Sequence, residues 1–161
     1  ASCHGASGQD FSGAKVGHVT PIAQIATDRA RLDSYTYDLA VNQATLYAGY
    51  PYRFTHFRKT FGYANMPLDG VWLRAPYLHN GSVPTLRDLL EAPDARPRTF
   101  RRGYNVYDPV RVGFVTSGPE AERFGSLHDT TQKGAGNGGH DFGTHLPDHD
   151  KEALVEYLKT L

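Results

Sequence analysis

The sequence predicts a mainly α-helical, loop-rich single domain that has one small β-hairpin and closes with a C-terminal helix. Seventeen glycines and ten prolines in 161 residues, with a mean hydropathy of −0.51, indicate many loops and a polar surface. Outside these loops, apolar residues at helical spacing and helix-capping residues predict helices. At this length the chain forms one domain, residues 1–161.

Two helices are predicted in the first third of the chain. Thr27 or Asp28 can cap a short helix, because a side-chain oxygen there accepts a hydrogen bond from a backbone N–H that the helix leaves free. Ser34 or Thr36 can cap a second helix that runs to about Tyr47.

The middle of the chain alternates turns with short elements. Residues 80–82 (Asn-Gly-Ser) form a turn, and Thr85 caps a helix over residues 86–91. Residues 98–115 have β-branched and aromatic side chains in loose alternation, which predicts a hairpin that turns at residues 108–109 (Asp-Pro).

A loop and a helix end the chain. Residues 134–143 contain five glycines and form a loop. Asp148 caps the last helix, whose apolar residues recur at helical spacing: Ala153, Leu154, Tyr157, Leu158 and Leu161. We expect this stripe to stay partly exposed, because the helix that we expect to cover it would lie before residue 1, outside this sequence.

Charge and hydropathy exclude two classes of partner. Seventeen basic and seventeen acidic side chains balance, and they form no run of like charge, so the sequence predicts no affinity for nucleic acid or for a membrane surface. No apolar stretch approaches the ~18 residues that a membrane span needs.

The dipeptide Cys3-His4 is the second half of a C-x-x-C-H motif for covalent haem attachment. In that motif two thiols each bind one haem vinyl group, and the histidine ligates the iron. The sequence therefore predicts one covalent haem c, held by Cys3 and ligated by His4, in a domain truncated inside the motif. Such attachment predicts a periplasmic or secreted bacterial protein. A Cys-His pair also arises by chance in proteins without haem.

Several longer motifs resemble one family of haem proteins. Residues 67–86 (PLDGVWLRAPYLHNGSVPTL) are similar to the A-P-Y-x-H-[ND]-G-S-x-x-T-L signature of bacterial dihaem cytochrome c peroxidases, and still closer to the peroxidase-like cytochromes that include the dihaem rubber oxygenases. Further similarity to the latter group covers residues 25–32, 100–104, 136–144 and 151–161. The chain departs from the pattern at the missing first cysteine and at Ala26, where glycine is usual.

The resemblance implies a loop-rich cytochrome c-like domain, the C-terminal haem domain of a dihaem peroxidase-like protein. Its partners would be the N-terminal haem domain of the same protein and small redox proteins. The implied function is electron transfer. The alternative is that the domain belongs to a catalytic dihaem oxidoreductase, a peroxidase or oxygenase that acts on peroxide or oxygen.

The resemblance and the flanking glycines favour His140 as the second iron ligand. Gly138 and Gly139 let the backbone approach a haem closely, and the family match at residues 139–143 implies a bis-histidine iron. Met66 and His79 remain alternatives, the first because a thioether from a mid-chain loop is a common ligand in single-haem cytochromes.

Three further residues are candidates for haem contact. Trp72 can lie against the haem as an electron conduit, or it can anchor the core. Arg74 and Arg101 can pair with haem propionates, although arginines at a surface often only solvate.

Three functions remain open from the sequence. A six-coordinate iron would transfer electrons without binding substrate, whereas an open iron would allow peroxide or oxygen chemistry. A haem-free binding module would use its histidines for zinc or for nothing, and His140 with His145 would make only a poor zinc site.

Overall fold

The computed structural model describes residues 3–5, 15–53, 55 and 57–161. Within these ranges there are six helices: α1 (Ile22–Ile25), α2 (Ala30–Asp33), α3 (Tyr37–Thr45), α4 (Leu86–Leu89), α5 (Pro119–Phe124) and α6 (Asp148–Leu158). There are also six strands: β1 (Val19–Pro21), β2 (Gly62–Ala64), β3 (Thr99–Arg102), β4 (Tyr107–Asp108), β5 (Gly113–Phe114) and β6 (Ser126–Asp129). Residues Val71–Leu73 form one turn of 3₁₀ helix.

The prediction of a mainly α-helical fold is wrong. The structure is 28% helical and 14% strand over the described residues, with short helices and three two-stranded antiparallel sheets, β1–β2, β3–β6 and β4–β5. Glycines and prolines interrupt the chain so often that five of the six described helices span only four to nine residues. None of the helices in the described ranges is long and apolar enough to cross a bilayer.

The predicted hairpin over residues 98–115 is only partly correct. Strands β4 and β5 form a hairpin, in which Tyr107 pairs with Phe114. Strand β3 leaves this hairpin and pairs instead with β6, so that Phe100 lies opposite His128. Gly103, at φ +106°, follows β3 directly and supplies a backbone conformation that other residues rarely adopt.

Two predicted helix caps are confirmed. The hydroxyl of Thr36 accepts a hydrogen bond from the backbone N–H of Leu39 at the start of α3 (3.2 Å). The hydroxyl of Thr85 accepts one from the N–H of Asp88 in α4 (3.0 Å). Each cap satisfies an N–H group that the helix itself leaves free. None of the α3 side chains is buried, so α3 lies on the surface.

The core lies where α4 and α6 meet the segment that leads into α4. Its buried apolar side chains are those of Tyr77, Val83, Leu86, Leu90, Val112 and Val155. Helix α6 contributes Val155 and packs Leu154 and Leu158 against this cluster, whereas Ala153 and Tyr157 of the predicted stripe are exposed. The face that packs is therefore rotated from the predicted one. Pro147, and not Asp148, occupies the capping position.

A partly buried ion pair joins the segment directly after α4 to α6. The ammonium group of Lys151, whose side chain is only 7% exposed, lies 3.1 Å from a carboxylate oxygen of Glu91. Burial alone would raise the pKa of Glu91, but hydrogen bonds from Lys151 and Arg87 outweigh it and hold this pKa below its usual value. Arg87 also contacts Asp148 at the start of α6 (2.9 Å). These contacts fix α6 on the end of α4, from which the chain continues towards the candidate site.

Candidate functional site

His4 is held against the turn that follows β2. The Nδ1 atom of His4 lies 2.8 Å from the backbone oxygen of Met66, and the N–H of Leu68 donates to the oxygen of Gly5. Because a carbonyl oxygen only accepts, Nδ1 of His4 must carry the proton. In the neutral ring the Nε2 atom of His4 is then unprotonated and can bind a metal.

Further hydrogen bonds to the backbone hold the turn that follows β2. The guanidinium group of Arg74 donates to the backbone oxygens of Pro67 (3.0 Å) and Asp69. The N–H of Gly70 donates to the backbone oxygen of Leu161, beyond the end of α6 (3.0 Å). The Cys-His segment, the turn after β2 and the C-terminal helix therefore meet in one place.

His140 projects from a strained backbone in the glycine-rich loop. His140 has φ +54°, in the left-handed region that is unusual for a residue with a side chain. Its N–H donates to the backbone oxygen of Ile25 (2.8 Å). The preceding Gly139 packs directly on the turn at residues 25–27, where Ala26 is also left-handed (φ +58°). The conformation of Ala26 explains why glycine is usual at this position in the family that the sequence resembles.

The rings of His4 and His140 lie next to each other. Their centroids are 6.4 Å apart, and their planes are inclined by 43°. Phe142 lies edge-on to His140, with a centroid distance of 5.2 Å. Burial, and then the nearby His4, lower the pKa of His140 below its ordinary value. The His140 imidazole is therefore neutral at pH 7, as a metal ligand must be.

The two histidines are supported differently. Nδ1 of His4 has the Met66 carbonyl as its partner, whereas the buried Nδ1 of His140 has no hydrogen-bond partner among the described residues. The second nitrogen of a metal-ligating histidine normally has such a partner. The backbone that carries His140 therefore has a large part in placing its ring, together with the contact of Phe142.

Sequence reasoning missed Arg96, which is 4% exposed and lies behind the His140 backbone. Its guanidinium group donates to the backbone oxygens of Gly139 (2.7 Å) and His140 (3.3 Å), among others. Arg96 belongs to no periodic pattern and no quoted motif. Buried arginines are rare and have partners, but this general rule does not show which arginine of a sequence is buried.

The two alternative ligands have different surroundings. Met66 is 58% exposed, and its backbone oxygen lies against Nδ1 of His4. His79 stacks on Tyr63, with a centroid distance of 4.7 Å, and its buried Nε2 has no partner among the residues that the structure describes. Burial lowers the pKa of His79.

The other candidate residues lie next to His4, in the core, on β3 and against the backbone. Cys3 is half-buried beside His4. Trp72 packs against the core and lies edge-on to Tyr107 at 6.5 Å, which fits a core anchor. Arg101 is half-buried on β3, and Arg74 binds the backbone as described above. No three His, Cys, Asp or Glu side chains gather into a metal site within the described part of the chain.

Comparison with known proteins finds a similarity to a cytochrome c-like family in the middle of the chain. Residues 62–101 match the family described as RoxA-like, cytochrome c-like. The matched stretch runs from β2 into β3 and contains the turn that holds His4 as well as Arg96. Such a domain binds haem and carries electrons.

Two curated relatives come from Sinorhizobium fredii. The chain is 42% identical over 108 residues to "uncharacterized protein y4iJ", an alignment that covers 62% of this chain and 18% of that protein. It is 41% identical over 119 residues to "uncharacterized protein y4iM", which covers 62% of this chain and 27% of that protein. The chain thus spans about a fifth to a quarter of the length of these relatives.

Proposed function

We propose that this chain is a c-type haem domain for electron transfer, in which His4 and His140 would hold the haem iron. The observation that carries the proposal is the 6.4 Å separation of the two ring centroids. A metal–imidazole bond is about 2.0 Å long, so two rings this close to each other could bind the same metal ion. No third His, Cys, Asp or Glu joins the two histidines among the described residues, which fits a haem iron better than a zinc site, because zinc takes three or four protein ligands.

The donor chemistry of the two histidines fits the group. His4 can turn its Nε2 to a metal because its Nδ1 faces the Met66 carbonyl. His140 is neutral because burial lowers its pKa. Cys3, next to His4 in the sequence, would supply a thioether bond to the haem.

A haem bound in this way supplies one-electron transfer. The chain's own part is to hold the two imidazoles in place, where they would occupy the iron positions that a substrate would need. This arrangement favours electron transfer over peroxide or oxygen chemistry at this iron. It also favours a haem domain over the haem-free binding module.

The wider setting is part of the proposal. The resemblance to dihaem peroxidase-like cytochromes supports a second haem domain as electron partner, with small redox proteins as further partners. In that setting peroxide or oxygen would react at the other haem, and this domain would supply or remove electrons. Covalent haem attachment supports a periplasmic or secreted location in a bacterium.

Visible spectroscopy of the haem-loaded protein tests the proposal. A variant with one cysteine directly before Ala1 has two thiols at the motif spacing, and it is matured in a strain that attaches c-type haem. We expect haem that resists acid-acetone extraction and a low-spin, six-coordinate spectrum. His140→Ala should become high-spin and bind carbon monoxide, because it frees one iron position.

Met66→Ala is the matched control, since it removes the competing side chain and leaves the backbone carbonyl that holds His4. Its spectrum should equal that of the parent. An iron that opens in Met66→Ala but not in His140→Ala would assign the ligand to Met66. Complete extraction of haem would contradict covalent attachment.

A further inference from the structure

The buried guanidinium group of Arg96 joins two parts of the chain through the backbone alone. Its Nε donates to the oxygen of Glu91 (2.9 Å), and one Nη donates to that of Leu89 (3.2 Å), both at the end of α4. The remaining three bonds reach the glycine-rich loop, at the oxygens of Asn137 (2.6 Å), Gly139 (2.7 Å) and His140 (3.3 Å).

These five bonds use all five N–H groups of the arginine. No donor is left for a haem propionate, so Arg96 does not bind the cofactor directly. No carboxylate lies within ion-pair distance of it among the described residues. Arg96 therefore contacts only backbone oxygens, and three of its five hydrogen bonds reach oxygens at or within three residues of His140.

Other contacts leave the His140 ring dependent on this loop. Nδ1 of His140 has no hydrogen-bond partner in another described residue, so no neighbouring element fixes the ring through this nitrogen. The backbone of His140 is left-handed. Its oxygen accepts from Arg96, and its N–H donates to the backbone oxygen of Ile25. A residue in this conformation persists only where its surroundings hold it.

The geometry points to Arg96 as the positioning residue for the distal iron ligand: it fixes the loop that carries His140 and thereby keeps the iron six-coordinate. This inference rests on the proposed function for its effect on the iron. Its effect on the loop stands without haem. Lysine cannot replace the arginine, because one ammonium group cannot reach the carbonyls at the end of α4 and those of the glycine-rich loop at the same time.

Two measurements on Arg96→Gln test the inference. In the haem-loaded protein, we expect carbon monoxide to bind about 10-fold or more faster than in the parent, together with a high-spin fraction, because the supports of metal ligands contribute on this scale. In the haem-free chain, we expect faster hydrogen exchange at the His140 amide, which is bonded to Ile25. Arg96→Lys should show both changes in the same direction.

Lys151→Gln is the control for a general loss of stability. It removes a buried charged group on α6 whose side chain binds the Glu91 carboxylate, whereas Arg96 binds the backbone oxygen of Glu91. Carbon monoxide binding and exchange at His140 should stay at the parent's values in Lys151→Gln. Equal behaviour of Arg96→Gln and Lys151→Gln in both measurements would overturn the inference. A parent protein that is not low-spin would overturn the proposed function, and the exchange rates at His140 would still decide the role of Arg96.

Discussion

Gly139 and Gly138 offer a paired test of how tightly the ligand loop is packed. A Cβ atom at Gly139 would lie 2.4 Å from the carbonyl carbon of Ala26. It would also lie 2.5 Å from the oxygen of Ile25 and 2.5 Å from the nitrogen of Thr27. All three contacts are with backbone, which cannot rotate away as a side chain can. A Cβ at Gly138 would meet nothing within 4 Å.

The size of the effect follows from these distances. Ordinary contact begins near 3.4 Å, so in Gly139→Ala the loop must move by roughly 1 Å or the turn must open. Gly139 also has φ +77°, where a Cβ costs about 1–2 kcal/mol. Together with an overpacking cost of about 1–3 kcal/mol, we expect Gly139→Ala to lose about 2–5 kcal/mol of unfolding free energy.

Urea unfolding of the haem-free chain measures this loss. In the haem-loaded protein, a shift of 1 Å is larger than the tolerance of about 0.5 Å for a preorganised site, so Gly139→Ala should also gain high-spin iron. Gly138→Ala should stay within about 1 kcal/mol of the parent and remain low-spin. If Gly139→Ala and Gly138→Ala unfold at the same urea concentration and have the same spectrum, the packing argument is refuted.

Three further outcomes are expected. Glu91→Gln should lose about 2–3 kcal/mol in urea unfolding because it leaves the buried Lys151 without its carboxylate, whereas Lys151→Met should lose at most about 1 kcal/mol; equal losses would contradict this asymmetry. Ala26→Gly should gain about 0.5–1 kcal/mol in the same assay, because glycine adopts φ +58° freely; a loss of stability would show that the turn is not strained. Burial lowers the pKa of His79 below 6.5, so the unfolded chain binds more protons, and the unfolding free energy should fall as the pH drops below about 6.5; His79→Gln should weaken this dependence, and an unchanged slope would count against it.

The sequence predicts features of this fold that depend on near neighbours. The caps at Thr36 and Thr85 were predictable because each hydroxyl bonds an N–H three residues later. The pairing of β3 with β6 was not, because the partner of Phe100 is His128, and local alternation does not reveal so distant a partner. The mainly α-helical prediction failed for a related reason, since the short strands depend on such pairings.

The candidate site divides in the same way. Flanking glycines and the resemblance selected His140, and the structure places its ring beside that of His4; its role as ligand stays a prediction. The burial of Arg96 depends on carbonyl groups from two distant segments, the end of α4 and the glycine-rich loop. No pattern around Arg96 in the sequence carries that information.

The separation of His4 and His140 in the sequence has a consequence for unfolding. Joined through one iron, they would close a loop of about 136 residues, which contains most of the described residues. In the chain-entropy account, a cross-link over about 100 residues removes about 4.7 kcal/mol of disorder from the unfolded chain. An iron bound by both rings would therefore act as a reversible cross-link, and loss of either ring would free the two segments from each other.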